Sequence, residues 1–117
     1  MSDWARPVVH WAIEGRDAER LKAFYAALFN WNIGDGPIMS IDAGVGGPEP
    51  GPGGHIAAHA DRPGIALYVQ VRDIHASLTK AVELGGEKKS DPFDVPGGPT
   101  IAFITDPEGN SLALVQQ

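Results

Sequence analysis

Apolar and polar positions alternate from Val8 to Glu14 (VVHWAIE), and this period of two in a β-rich composition predicts a strand. The period then changes. From Ala18 to Asn30, Leu21, Phe24, Tyr25 and Leu28 recur at helical spacing, which predicts a helix with those four on its core-facing side. Asp17 precedes it as the expected N-cap, placed to accept the unpaired amide hydrogens of the first turn. Two short extended pieces follow, Trp31–Asp35 and Ile38–Asp42, joined at a turn through Asp35-Gly36-Pro37. His55–Ala60 forms an Ala-rich, weakly β-like fourth strand.

The same order then starts again. Ile65–Val71 (IALYVQV) is the clearest strand, Asp73 is the next cap, and Ile74, Leu78, Ala81 and Val82 make a second helical stripe. Gly85-Gly86 stops that helix with the left-handed residue a C-terminus favours. Extended pieces at Glu87–Ser90 and Phe93–Val95 lead to strands Thr100–Thr105 and Ser111–Gln116 across an Asp106–Gly109 turn. An offset of 56 aligns Arg16-Asp17 with Arg72-Asp73 and Leu28 with Leu84. The chain therefore reads as two β-α-β-β-β modules, about 8–60 and 64–117, within one α+β domain over 1–117.

Strand parity sorts the side chains, because alternate residues face opposite ways. Val9, Trp11 and Ile13 should meet the first helix, and Ile65, Leu67, Val69 and Val71 the second. In the last strand Leu112 and Leu114 are the apolar pair. The opposite positions form one mixed polar face: His10, Glu14, His55, His59, Tyr68, Gln70 and Ser111. If the two sheets combine, that face lines a cleft, the usual setting of a small-molecule site.

Composition narrows the function classes. Gly and Pro make 25 of 117 residues, and nine of the eleven positions from Gly44 to Gly54 are Gly or Pro. That run is either a plain surface loop or a lip over the cleft; it lacks the Gly-x-x-x-x-Gly-Lys pattern of a phosphate loop. With no cysteine, disulfides, thiolate metal sites and a Cys nucleophile are excluded. The net charge of −6 argues against nucleic acid as a partner. No apolar run approaches the roughly 20 residues of a membrane span, so no membrane partner is expected. The start MSDWARP has no basic or apolar leader pattern, so a cytoplasmic location is expected.

Four stretches together resemble the vicinal oxygen chelate superfamily, the glyoxalase/bleomycin resistance/dioxygenase fold. They are HWAIEGRD at 10–17, FYAALFNW at 24–31, VQVRDIHASLTKAVELGG at 69–86 and PGGPTIAFITDPEGNSLALV at 96–115. The likeness is greatest to the small bacterial glyoxalase-like branch. It implies paired modules in a half-open barrel with a shared cleft, and frequent homodimers. Metal-dependent members chelate a divalent ion from four strand positions, which fall here on His10, Ala57, Ala66 and Ala113. Alanine has no donor atom, so no standard metal centre, and no cofactor, is expected. His10, His55 and His59 are the candidates for a displaced metal site, although the loops bordering the last two also suit solvated side chains.

Each remaining candidate carries two readings. Glu14 is a candidate general base, or an exposed charge paired with Arg16 or Arg72. His10, His55, Tyr68, Gln70 and Ser111 are the candidate ligand wall, with Tyr68 offering a stacking face. His75 reads as a surface residue and Trp31 as packing. Three functions follow: a small-molecule-binding protein without the standard metal centre, a lyase or dioxygenase-type enzyme with a displaced His site, or an interaction module with a vestigial cleft.

Overall fold

Asp17 and Asp73 start the two helices in the same way. Asp17 accepts from the Arg20 amide at 3.0 Å and Asp73 from the Ala76 amide at 3.1 Å, each satisfying a first-turn donor. This is the repeat seen in sequence, expressed as hydrogen bonds. The computed structural model describes residues 5–42, 52–59 and 64–117. It is a mixed α+β fold with two compact units, His10–Ile65 and Met1–Val9 with Ala66–Gln117.

In the unit 10–65, β1 (Val8–Gly15) enters at His10 and leads to α1 (Ala18–Phe29), β2 (Ile38–Ile41) and β3 (Gly54–Ala58). The strand order is β2-β3-β1, with β1 parallel and β2 antiparallel to β3. Ile13, Ile33, Met39, Ile41 and Ile56 form the core, and Trp11, Leu21, Tyr25 and Trp31 pack on it. Trp11 and Ile13 thus take the helix side that parity assigned them. The expected extended piece Trp31–Asp35 contracts to a single bridge, Ile33 to Ile41. The expected loop 44–54 lies outside the described residues through Gly51, and Gly54 already belongs to β3.

The helical stripe needs correcting. Leu21 and Tyr25 face the sheet, but Phe24 and Leu28 point outward. Trp31 stacks on Tyr25 with ring centroids 5.4 Å apart, filling the sheet side of the last turn that Leu28 was expected to occupy. Asn30 allows this return by closing the helix in the left-handed conformation, φ 59°.

In the other unit, β4 (Gly64–Gln70), which enters it at Ala66, leads to α2 (Ile74–Glu83), β5 (Glu87–Lys88), β6 (Phe93–Asp94), β7 (Thr100–Thr105) and β8 (Ser111–Gln116). The order is β4-β8-β7-β5, with β6 also on β7 and β4 parallel to β8. Val71, Ile74, Leu78, Ala102, Ile104 and Leu114 form its core. Gly85, at φ 102°, ends α2 as the Gly-Gly pair foretold, and the Gly86 amide reaches back to the Ala81 carbonyl at 2.9 Å. Ile65, Leu67 and Val82 are exposed, contrary to expectation. Helix α2 packs over β5, β7 and β8. No described helix is long and apolar enough to cross a membrane.

Candidate functional site

His10 and His55 meet. His10 Nε2 and His55 Nδ1 are 2.7 Å apart, with ring centroids separated by 5.0 Å. The register explains the contact: β1 runs parallel to β3 with Ala12 opposite His55, so His10, two residues earlier, shares its face. Ser40 of β2 lies opposite His55 from the other side. His55 is therefore half-buried and hydrogen-bonded, which corrects its reading as a solvated loop residue.

Next to this pair, Trp11 turns the other way and fixes the strands. Its indole N–H donates to the Pro52 carbonyl at 2.9 Å, and its ring covers Gly54 so closely that a Cβ there would lie 2.3 Å from it. Trp31 and Tyr25 stack behind it.

Two neutral imidazoles in contact have linked tautomers. One ring donates its N–H and the other accepts, so the outer nitrogens carry one N–H and one lone pair between them. Burial lowers the pKa of His10, and burial followed by the nearby His10 lowers that of His55. Since the ordinary value is 6.5, the pair is neutral at pH 7. Its chemistry is that of a polar, uncharged donor–acceptor group.

His59 does not join them. It follows β3 four residues beyond His55, about 13 Å further along a strand running away from His10, and its amide donates to the Gly15 carbonyl at 2.7 Å. Among the described residues, no three His, Cys, Asp or Glu side chains gather in a group able to hold a metal ion. The positions at which the superfamily chelates its ion also do not fit one, because Ala57, Ala66 and Ala113 are buried methyl groups. Glu14 is half-buried on the His10 face, opposite Ala57 of β3.

In the second unit Tyr68 lies opposite Ala113 and Gln70 opposite Val115, while Ser111 pairs with Thr105. All three predicted wall residues are half-buried. Sequence reasoning missed their neighbour Phe103, which pairs with Ala113 and meets the Tyr68 ring edge-on at 6.4 Å. Phe93 extends the row, 5.8 Å from Phe103. Extending the parity argument to Thr100–Thr105 would have found Phe103. His75 is exposed, as expected, on the first turn of α2. It lines an open groove of about 660 Å³ with Leu78, Val82, Glu83, Lys88 and Asp91, to which none of the wall residues contributes.

Comparisons with known proteins agree with one another. The family model described as a glyoxalase-like domain matches residues 10–115. The chain is 30% identical over 125 residues to a Mycobacterium tuberculosis protein named "Putative glyoxylase CFP32", an alignment covering 98% of this chain and 48% of that protein. It is 35% identical over 87 residues to "Anthracycline biosynthesis protein DnrV" of Streptomyces peucetius, covering 74% of this chain and 27% of that one. The chain thus spans about half the length of the first of these curated relatives, and less of the second. In fold it is similar to the structure of a glyoxalase/bleomycin resistance protein/dioxygenase superfamily member from Vibrio splendidus 12B01. That structure matches with TM-score 0.66 at 12% identity, covering 97% of this chain and all of that one.

Proposed function

The chain belongs to the glyoxalase-like domain family, and from that premise we propose that it binds a small organic molecule without the family's four-ligand metal centre. The observation that carries this reading is the His10–His55 contact. The one superfamily chelating position that keeps a histidine has its imidazole engaged by a second imidazole, while the other three are alanine. A neutral donor–acceptor pair suits carbonyl and hydroxyl oxygens of an uncharged ligand. In the other unit, Tyr68, Gln70 and Ser111 form a polar wall of their own, and Tyr68 with Phe103 a stacking surface. Glu14, on the same face as His10, is the candidate base should the ligand be turned over. The protein acts as a binder or sensor of metabolites.

Thermal-shift screening of hydrophobic and aromatic metabolites tests the proposal, with anthracyclines included because one relative is named for their biosynthesis. A true ligand raises the melting temperature progressively above its dissociation constant. The shift should shrink in His10→Ala and in His55→Ala. A library that leaves the melting temperature unmoved, or shifts indifferent to both substitutions, overturns it. Stoichiometric zinc or nickel that is lost in His10→Ala would replace it with the displaced-metal enzyme.

A further inference from the structure

Three neighbouring strands of the unit 10–65 carry a serine and two histidines side by side. Ser40 of β2 lies opposite His55 of β3, and His55 contacts His10 of β1. All three stand on the face away from the core that Met39, Ile41 and Ile56 form under α1. The Ser40 carbonyl accepts from the Gly34 amide at 2.9 Å, on the edge of β2 away from β3. The N–H and C=O of one strand residue point the same way, so Ser40 and His55 form a non-hydrogen-bonded pair. In such pairs the Cα atoms lie only about 4.5 Å apart and the side chains come closest.

The ring contact also orients His55. Its Nδ1 meets His10 on the β1 side, and Nε2 belongs to the opposite edge of the imidazole, which is turned toward β2 and Ser40. A serine beside Nε2, with a third group holding Nδ1, is the division of roles in a nucleophile–base–orienter triad. We infer that Ser40 is a nucleophile toward small uncharged carboxylic esters, with His55 as its general base and His10 as the positioning residue. Ser40 is exposed, and no described side chain engages its hydroxyl. His55 is neutral at pH 7, so its Nε2 carries a lone pair whenever its Nδ1–H donates to His10. Ser40 Oγ adds to the ester carbonyl carbon as its proton passes to Nε2. The C–O bond to the alcohol then breaks, and the alcohol leaves with that proton. Water releases the acyl group from Ser40 by the same two transfers, so ester and water become acid and alcohol. The Ser40 amide points outward with its carbonyl, meets no described acceptor, and is the donor nearest the oxyanion. An uncharged ester is the fitting class, because none of the three groups is a cation that would hold an anion. The inference shares the histidine pair with the binding proposal but not its outcome, since acylation is read without any ligand-induced shift.

Incubating the full chain with 4-nitrophenyl acetate tests it, with nitrophenolate release followed by absorbance and the acetyl group located by peptide mass spectrometry. Acetylation should fall on Ser40 and vanish in Ser40→Ala. His55→Ala should slow it about 100-fold or more, the usual contribution of a general base. His10→Gln, whose amide oxygen still accepts from Nδ1–H, should keep more of the rate than His10→Ala, which a purely structural role would not predict. Melting temperatures show that each variant is folded, and Ser40, being exposed, tolerates alanine. An unacetylated wild type, acetyl groups on lysine or histidine instead of Ser40, or a rate indifferent to His55→Ala overturns the inference. Equal rates in His10→Gln and His10→Ala remove His10 from it.

Discussion

Gly54 shows how one missing side chain positions a candidate site. The Trp11 ring occupies the space a Cβ would need, and its N–H holds the Pro52 carbonyl, so β1 and β3 lock together beside His10 and His55. Gly54→Ala should destabilise the protein by about 1–3 kcal/mol in urea titration, since the ring or the strand must move. The same change should weaken ligand-induced stabilisation, because it disturbs the register that brings the two imidazoles together. At the histidines themselves, pH is the probe. Well above the ordinary value of 6.5 the rings are neutral in folded and unfolded chains alike. Below it, unfolded rings take up protons that the folded pair resists, so stability is lost as pH falls through the lowered folded values. Melting temperatures from about pH 7.5 to about pH 5 should decline, and a His10→Gln/His55→Gln variant should flatten the decline over the upper part of that range. Parity placed His10 and His55 on one face from sequence alone. It could not give the register, which depends on how far β3 slides along β1, and the register is what separates His59 from the pair.

The elements were legible where local chemistry decides them. Both aspartate caps, the Gly85 stop and the Asp106–Gly109 turn are short-range devices, and each forms as its sequence requires. Asp106 holds its turn by accepting from Asn110 and Glu108. Asp73→Ala should remove the Ala76 amide's partner and cost about 1 kcal/mol, measured by thermal or urea unfolding. What sequence could not settle was which side of an apolar helix is covered. Leu21, Phe24, Tyr25 and Leu28 satisfy the helical spacing equally well, and the choice falls to Trp31, which comes back under the last turn. Ile65 and Leu67 likewise fit the apolar side of their strand and stay exposed, while α2 lies over β5, β7 and β8.

At the scale of the whole molecule, the repeat gives each unit a core of its own. Ile56, fully buried, centres the cluster under α1, and Ile74, 1% exposed, anchors α2 over the other. A domain of 117 residues has little stability to spare, so truncating either isoleucine is a large perturbation. Replacing each with alanine should cost about 2–5 kcal/mol, the loss of transferred methyl groups plus a residual cavity. The two changes should differ in where the chain loosens. Since the clusters share no residue, hydrogen exchange in Ile56→Ala should accelerate first in amides of 10–65, and in Ile74→Ala first in those of 66–117. Uniform acceleration in both variants would mean that the two modules unfold as one cooperative unit despite their separate cores.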